Sequence, residues 1–271
     1  MATRTILLDV GGTFVKCSDG RQIPINSDGP REVISASLRE AVGDASNVAV
    51  AIPGPFNYEE GIFLMKHKFA AVYGVRFADL VKPVSCHSKQ NEEVSFRFIH
   101  DANAMLLGEV ASGAGKGYKR VALVTLGTGL GFAMSIDGRI LKNGMGSPKV
   151  SIFNKPFRDG ILEDYASKRG LLRGFPETLT VKDLSLMPAA AARFAEVGAI
   201  LAEALGPLLE EYGIECLLFG GQISRSFGLF GPAVIAGLSH LSLKHIGPIS
   251  DFENATFNGL KYGSATGIID F

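Results

Sequence analysis

Short apolar runs that stop at glycine turns alternate with amphipathic stretches along this chain. Residues 5–16, TILLDVGGTFVK, predict a strand, a glycine turn and a second strand, with Asp9 at the turn. Residues 121–136 repeat the same order, with a glycine turn at 127–129. A tight turn and a short third strand follow each copy. The pattern therefore predicts two copies of one α/β plan, the second of which begins near residue 112.

The spacing of apolar positions outside these two stretches predicts the remaining elements. Helices are expected at residues 30–42, 77–81, 101–112, 160–169, 189–212, 227–238 and 264–269. Strands are expected at residues 47–52, 62–65, 96–99, 214–219 and 255–257. Pro207 should kink or break the longest helix, because proline lacks the amide donor. The expected fold is α/β with two lobes, residues 1–111 and 112–271, and an interlobe cleft; the last helix can pack back on the first lobe.

Composition and charge narrow the class of function. The 271 residues carry 27 Lys and Arg against 27 Asp and Glu, so no basic excess favours nucleic acid or an anionic membrane. No apolar run approaches the ~18 residues that a membrane helix needs, and no apolar leader precedes the first strand. Cys17, Cys86 and Cys216 form neither a CxxC pair nor a metal-ligand spacing, which fits a reducing compartment. We therefore expect a cytoplasmic protein without a nucleic acid or membrane partner.

Three glycine turns follow apolar strands and form the candidate phosphate-binding set. They comprise Gly11, Gly12 and Thr13, then Gly127, Thr128 and Gly129, and finally Gly220 and Gly221. Exposed amides of such turns bind anions, and Lys16 adds a cation near the first turn. A GxxxxGK[ST] loop is absent, and Phe132 stands where GxGxxG requires its third glycine. The set predicts a nucleotide held by both lobes, whereas a single turn of this kind is explained about equally well as a plain hairpin.

Two aspartates are candidates for the chemistry. Asp101 stands where a strand passes into a helix, which suits a general base that orients an attacking hydroxyl and takes its proton. Helix N-capping is the other role open to it, and by itself the commoner one. Asp9 suits association with Mg²⁺, which binds one or two carboxylates together with substrate phosphates. Stabilisation of its own turn is the alternative for Asp9.

At these residues the chain resembles the ROK family (repressors, open reading frames and sugar kinases), which has the actin-like ATPase, or ribonuclease H-like, fold. The segments that carry the resemblance are LDVGGTFVK at 8–16, IPGPFNYEEGIFL at 52–64, HDANAMLLGE at 100–109, LVTLGTGLG at 123–131, GILEDYAS at 160–167 and LLFGGQIS at 217–224. The resemblance implies a kinase that uses ATP and Mg²⁺ to phosphorylate a sugar hydroxyl, with Asp101 as the base. It also implies that Gly54, His100 and Glu163 lie at the sugar and that Gly220 and Gly221 lie on the adenosine side, and it suggests a homodimer.

The chain departs from the family's pattern in the sugar-contacting and zinc-binding segments. His100 replaces the asparagine before the catalytic aspartate, and it either takes over as a hydrogen-bonding group or simply packs. Residues 146–151, GSPKVS, lack the glutamate and histidine that touch the sugar, which argues against plain glucose. Ile161 stands where a zinc-binding cysteine is usual, so no structural zinc is expected. His67 and Lys68 either line the pocket or, more often for such residues, face solvent.

Two functions stay open at this point. One is an ATP-dependent kinase of a hexose or amino-sugar. The other is a non-catalytic sensor of a sugar or nucleotide, derived from such a kinase, because several sugar contacts and the zinc site are lost. Retention of Asp101 favours the kinase, since a pure sensor needs no general base. Only a few residues precede the first strand, so we do not expect the helix-turn-helix domain of the family's repressors.

Overall fold

The computed structural model describes residues 4–82 and 94–267, and these form two compact units. Unit 1 comprises the described residues within Met1–Gly108, Lys142–Ser147 and Thr256–Phe271. Unit 2 comprises Glu109–Leu141 and Pro148–Ala255. Cys86 and the last two residues of the helix predicted at 264–269 lie outside the described residues.

Unit 1 is built on a five-stranded sheet. Its elements are β1 (Thr5–Val10), β2 (Phe14–Cys17), β3 (Gln22–Pro24), α1 (Arg31–Val42), β4 (Asn47–Ile52), β5 (Phe56–Asn57), β6 (Ile62–Phe63), α2 (Phe77–Val81), β7 (Ser95–His100) and α3 (Asp101–Ser112). The strand order is β3-β2-β1-β4-β7, with β1, β4 and β7 parallel and the β1–β2–β3 meander antiparallel. Parallel strands end at the same edge of a sheet, so β1, β4 and β7 present their carboxyl ends together.

Buried phenylalanines fix the connection after β4 to the core of unit 1. Phe56 and Phe63 lie with ring centroids 5.2 Å apart in an edge-to-face contact, and Phe69 packs on Phe63 at 5.4 Å. All three side chains are fully buried. Each such pair contributes about 0.5–1.5 kcal/mol beyond the burial of its area. The loop that follows the Pro-Gly-Pro turn is therefore held at several points along its length.

Unit 2 repeats the sheet of unit 1. The elements that follow α3 are β8 (Arg120–Leu126), β9 (Leu130–Ile136), β10 (Arg139–Ile140), β11 (Pro156–Phe157), β12 (Gly160–Ile161), α4 (Glu163–Ala166), α5 (Lys168–Leu172), α6 (Val181–Ser185), α7 (Ala191–Glu211), β13 (Cys216–Gly220), α8 (Phe227–Gly237), β14 (His245–Pro248) and α9 (Ala255–Thr266). The sheet order is β10-β9-β8-β13-β14, with β8, β13 and β14 parallel. The duplicated plan predicted from the apolar pattern is thus confirmed at the level of the two sheets.

The last helix, α9, belongs to unit 1 from Thr256 onward. Gly259 lies so close to the carbonyl of Ala104 in α3 that any Cβ atom at this position would overlap it. A residue without a side chain is therefore required for α9 to pack on α3. The strand predicted at 255–257 is wrong, because Asp251 accepts the amides of Glu253 and Asn254 at 2.9 Å and winds the chain into the helix.

One further prediction about a helix is wrong. The helix predicted at 160–169 is a short strand followed by α4 and α5, because Ser167 between them is extended (φ −123°, ψ −174°). The hydroxyl of Ser167 accepts the amide of Arg169 at 3.2 Å and so starts a new helix. Of the two outcomes predicted at Pro207, a kink or a break, the break does not occur, since α7 continues through this residue with one buried face, and the kink stays a prediction. No helix in the described part of the chain has the length and apolar character needed to cross a membrane.

Candidate active site

Strands β1, β4 and β7 bring three predicted site residues to one edge of the unit 1 sheet. Asp9 is the penultimate residue of β1, Gly54 lies two residues after β4, and Asp101 follows β7 directly. Asp9 pairs in register with Ala51 of β4, and Ala51 pairs in turn with Ile99 of β7. The register of the sheet therefore places two carboxylates close enough for their charges to interact.

The environment of Asp9 disfavours its charge. Burial and the neighbouring charge of Asp101 raise the pKa of Asp9 from 3.8 to about 6, and the ammonium of Lys16 partly offsets them. Lys16 is the cross-strand partner of Asp9 in the β1–β2 hairpin. A divalent cation bound at Asp9 would relieve the repulsion between the two carboxylates, so this donor set fits Mg²⁺ shared with nucleotide phosphates.

Asp101 stands in a different electrostatic setting. Burial acts to raise its pKa, but His100, the amide of Ala102 and the charge of Lys68 outweigh burial and hold the pKa below its usual value. Its Oδ1 accepts the Ala102 amide at 2.7 Å and lies 3.0 Å from Nδ1 of His100. The side chain is 43% exposed, and Oδ2 accepts no hydrogen bond within the described residues. Asp101 is therefore an ionised carboxylate at neutral pH with one oxygen open to a ligand.

His100 links the aspartate to the Pro-Gly-Pro turn. Its Nδ1 lies 3.0 Å from Asp101 and 3.2 Å from the amide of Ala102, so its proton decides which of the two it bonds. The other edge of the ring faces Gly54, where a Cβ atom would lie 3.6 Å from Nε2. A Cβ atom at position 54 would make ordinary van der Waals contact with the imidazole, so Gly54 lies directly against the ring of His100.

Tyr58 is a site residue that the sequence reasoning missed. Its hydroxyl donates to the carbonyl of Ile52 at 3.0 Å, and its ring centroid lies 5.9 Å from that of His100. Burial and the charge of Asp101 raise the pKa of Tyr58 well above 10, so the phenol stays neutral. No sequence spacing identifies this tyrosine, because only the folded turn brings it close enough for the charge of Asp101 to act on it.

The segment Lys142–Ser147 also belongs to unit 1 and lies against Tyr58. The amide of Tyr58 donates to the carbonyl of Met145 at 3.1 Å, and a Cβ atom at Gly146 would lie 2.8 Å from Cβ of Tyr58. Nδ2 of Asn103 donates to the carbonyl of Gly146 at 3.3 Å. Gly146, the first residue of the stretch 146–151 that departs from the family's sugar-contacting pattern, is thus fastened to Tyr58 and Asn103 within unit 1.

The first glycine turn offers two of its three amides. The Gly11 amide donates to the carbonyl of Phe14 at 2.9 Å and closes the hairpin. Among the described residues, none accepts a hydrogen bond from the amides of Gly12 or Thr13. A Cβ atom at position 12 would lie 3.2 Å from Oγ of Ser27, so glycine also lets the chain pass close to Ser27. The free amides fit the prediction of an anion-binding turn.

The second glycine turn lies in unit 2 and is held by Glu163. Oε2 of Glu163 accepts the amide of Leu130 at 2.9 Å, and a Cβ atom at Gly129 would lie 2.9 Å from the same oxygen. The Lys168 amide donates to the carbonyl of Gly127 at 2.9 Å. The residue predicted at the sugar thus braces the Gly127–Gly129 turn, while its Oε1 lies 3.8 Å from Arg169.

The third glycine turn packs beside the second within unit 2. Gly221 has φ +83°, and a Cβ atom there would overlap the carbonyl of Leu126, the last residue of β8. Oγ of Ser224 donates to the carbonyl of Gly220 at 2.6 Å and fixes the turn. Positive φ and close approach both require glycine at position 221.

The two units therefore hold different parts of the predicted site. The described part of unit 1 contains the first turn with Asp9, Lys16, Gly54, His100 and Asp101; unit 2 contains the other two turns and Glu163. No group of three or more His, Cys, Asp and Glu side chains suited to a metal lies within residues 4–82 and 94–267. The expectation that structural zinc is absent stays a prediction.

Comparison with known proteins gives consistent matches. The sequence model of the ROK family matches residues 30–250. A glucokinase from Thermotoga maritima is 27% identical over an alignment of 236 residues, and the match covers 74% of this chain and 72% of that protein. The crystal structure of a ROK family glucokinase from Streptomyces griseus, in complex with glucose and AMPPNP, matches with a TM-score of 0.74 at 20% identity and covers 94% of this chain and 97% of that one.

A regulator shares the same fold. A ROK family transcriptional regulator, a homologue of the E. coli MLC protein, matches with a TM-score of 0.73 at 18% identity and covers 95% of this chain and 77% of that one. These structures establish that the chain has the fold of ROK sugar kinases, the actin-like ATPase fold. Because that fold also carries a regulator, the function has to be argued from the site.

Proposed function

Because the chain belongs to the ROK family, we propose that it is an ATP-dependent kinase of a sugar hydroxyl, with Asp101 as the general base. The observation that carries the proposal is the carboxylate of Asp101: it is ionised, exposed at one oxygen and placed beside a second carboxylate at the end of a glycine-turn strand. The similarity to a glucokinase over 74% of the chain supports the same reaction class.

The proton transfer follows from the two oxygens of Asp101. Oδ1 is occupied by the Ala102 amide and His100, and this fixes the carboxylate plane. Oδ2 can accept the hydrogen bond of a sugar hydroxyl and take its proton as the oxygen–phosphorus bond forms. A carboxylate with a lowered pKa is a weak base, so its first task is to orient the attacking oxygen, as phosphoryl transfer requires.

The nucleotide and its metal would be held by residues that the site leaves unpaired. Asp9 is the residue that would hold Mg²⁺, and the ion would supply positive charge to neutralise the phosphates. The amides of Gly12 and Thr13 are available to phosphate oxygens, and we assign the same task to Gly127–Gly129. The turn at Gly220 and Gly221 is assigned to the adenosine side on the family's pattern.

The acceptor is proposed to be a hexose or an amino-sugar. His100 supplies a ring nitrogen at the Gly54 edge that can bond a hydroxyl in place of the family's asparagine. The buried ring of Tyr58 packs 5.9 Å from the ring of His100, centroid to centroid, and so helps to hold that imidazole in place. Glu163 is kept as a sugar contact, because its Oε1 accepts no hydrogen bond from the described residues.

ADP release from Mg-ATP tests the proposal, with a panel of hexoses, N-acetylhexosamines and their epimers. We expect turnover with at least one sugar, and Asp101→Asn should lower kcat by about 10²–10⁴-fold. Asp137→Asn is the matched control: Asp137 lies at a hairpin turn with φ +50°, which asparagine also adopts readily, so its activity should be unchanged.

An Asp101→Asn variant as fast as the wild type would contradict the base assignment. Sugar binding by calorimetry without turnover of any sugar would instead identify the protein as a sensor. The two outcomes are separable because binding is measured independently of ADP release.

A further inference from the structure

Lys68 lies in a segment that the backbone ties to the first glycine turn. The amide of Phe69 donates to the carbonyl of Ser27 at 2.7 Å, and the amide of Ser27 donates to the carbonyl of Gly12 at 3.1 Å. The Phe69 side chain is fully buried against Phe63. The chain next to Lys68 is therefore anchored to the phosphate-binding turn by two hydrogen bonds and to the core by an aromatic ring.

The side chain of Lys68 runs along that turn. Its Cδ lies 3.8 Å from the position of a Cβ atom at Gly12, and the residue is half-buried. Its charge also acts on Asp101, as described above. The ion pairs among the described residues do not include Lys68. Lys68 thus lies along the first glycine turn, its charge reaches Asp101, and it has no ion-pair partner among the described residues.

The neighbouring lysines have other surroundings. Lys16 stands across the hairpin from Asp9, and its charge acts on that carboxylate. Lys66 is exposed, with Nζ 5.3 Å from the centroid of the Tyr73 ring. The position of Lys68 is therefore not a general property of this basic segment, because the residue two places earlier is committed elsewhere.

Transfer of a phosphoryl group places negative charge between the donor and the acceptor oxygen. A fixed cation at that point stabilises the transition state more than the ground state and so raises kcat. We propose that the ammonium of Lys68 contacts the phosphoryl group during its transfer and is a further catalytic residue of this protein.

The proposal rests on the proposed kinase function. In this step the sugar oxygen forms its bond to the γ-phosphorus, the bond from that phosphorus to the bridging oxygen of ADP breaks, and the hydroxyl proton passes to Asp101. Lys68 stays protonated throughout, so it neither gives nor takes a proton.

Steady-state kinetics of Lys68→Met and Lys68→Arg, with the sugar that the wild type accepts, test the role. Methionine keeps the length and removes the charge, so kcat should fall by about 10²–10³-fold. The KM values of ATP and sugar should change by less than threefold, since only the transition state is affected. Arginine should restore at least tenfold of the loss, because it returns a cation to the same place. Lys66→Met is the matched control and should leave kcat unchanged.

A measurement without turnover separates this role from a structural one. MgADP with aluminium fluoride is an analogue of the transition state of phosphoryl transfer, and the wild type should bind it tightly in the presence of the sugar. Lys68→Met should weaken that complex by the same factor as kcat, while binding MgADP and sugar alone as the wild type does. Thermal unfolding of both variants shows whether either has lost its fold; if Lys68→Met has, Lys68→Gln replaces it.

The possible outcomes distinguish the role of Lys68 from the proposed kinase function. An active wild type with a Lys68→Met variant of equal kcat overturns the role of Lys68 alone. A rise in the KM of the sugar or of ATP with unchanged kcat overturns it too, because the lysine then binds a substrate in the ground state rather than the phosphoryl group during its transfer. A wild type that phosphorylates no sugar overturns the proposed function and this proposal with it.

Discussion

The two sheets share one strand order, but only the sheet of unit 1 carries ionisable side chains at the carboxyl ends of its parallel strands. Asp9 is the penultimate residue of β1, whereas Thr125 has that place in β8. Asp101 follows β7 directly, whereas Ile249 follows β14. The glycine turns are common to both copies, and the carboxylates are not. A duplicated scaffold thus supplies backbone amides twice, while the residues suited to acid–base and metal chemistry occur in one copy.

The turns also differ in how they are held. The first turn is fixed by backbone hydrogen bonds to Phe14 and Ser27. The second has a backbone hydrogen bond from the Lys168 amide to Gly127 and, in addition, a side chain that holds it, since Glu163 accepts the amide of Leu130. Loss of a single side chain should therefore disturb the turn of unit 2 more than that of unit 1, and the following predictions probe that difference.

The largest effect is expected at Asp9. Asp9→Asn should lower kcat with Mg-ATP by about 10²–10³-fold, because it removes the carboxylate suited to Mg²⁺. The same change should raise the free energy of unfolding by about 2–3 kcal/mol at pH 7.5 in EDTA, since a pKa of about 6 in place of 3.8 makes the charged form costly in the folded state. Urea unfolding measures the stability and ADP release the rate.

The pH dependence of the free energy of unfolding tests whether the charge of Asp9 causes the stability gain expected for Asp9→Asn. The folded state binds the Asp9 proton more tightly than the unfolded state, so the contribution of Asp9 to the free energy of unfolding should rise as the pH falls through about 6 toward 4. Asp9→Asn should lack that rise. Thr125→Ser, at the corresponding place in β8, should leave both the stability and its pH dependence nearly unchanged. A gain at Asp9→Asn that is equal at pH 4.5 and pH 7.5 would contradict the charge explanation.

The next effect concerns glycine. Gly221→Ala should lower the free energy of unfolding by about 3 kcal/mol, because its Cβ would overlap the carbonyl of Leu126 at a positive φ. Gly12→Ala should cost about 1 kcal/mol or less, since its new Cβ meets only Oγ of Ser27 at 3.2 Å. Equal losses in urea unfolding would show that the two turns are packed alike.

The smallest effect is expected at Glu163. Glu163→Ala should raise the KM of ATP about tenfold, because it removes the acceptor of the Leu130 amide and loosens the second turn. Glu163→Gln keeps an acceptor and should change the KM of ATP by less than about threefold. If the KM of the sugar rises in place of that of ATP, Glu163 acts at the sugar and the bracing of the turn is secondary.

The repeated sheets could be predicted from sequence because the first apolar run of each copy stops at a glycine turn, and this signal lies within a few consecutive residues. The helix at 160–169 could not, since its break depends on the extended backbone of Ser167. Tyr58 escaped for a related reason, and for Lys68 the sequence left open whether it lines the pocket or faces solvent. Their places depend on contacts with Ile52 and with the Ser27–Gly12 bonds, which join residues that no periodicity connects. Charge and spacing in the sequence predicted the site residues at strand ends, whereas the positions of Tyr58 and Lys68 depend on tertiary packing.

The packing of α9 on α3 sets the order in which the molecule can be completed during synthesis. Asp101 begins α3, and Ala104 one turn later receives Gly259 from the far end of the chain. A ribosome adds roughly 5–20 residues per second, and domains usually fold from the amino terminus as they emerge. Unit 1 contains the first residues of the chain, but α9, the helix that packs on its α3, is synthesised only after all of unit 2. Unit 1 can therefore complete its packing only after unit 2 has been made.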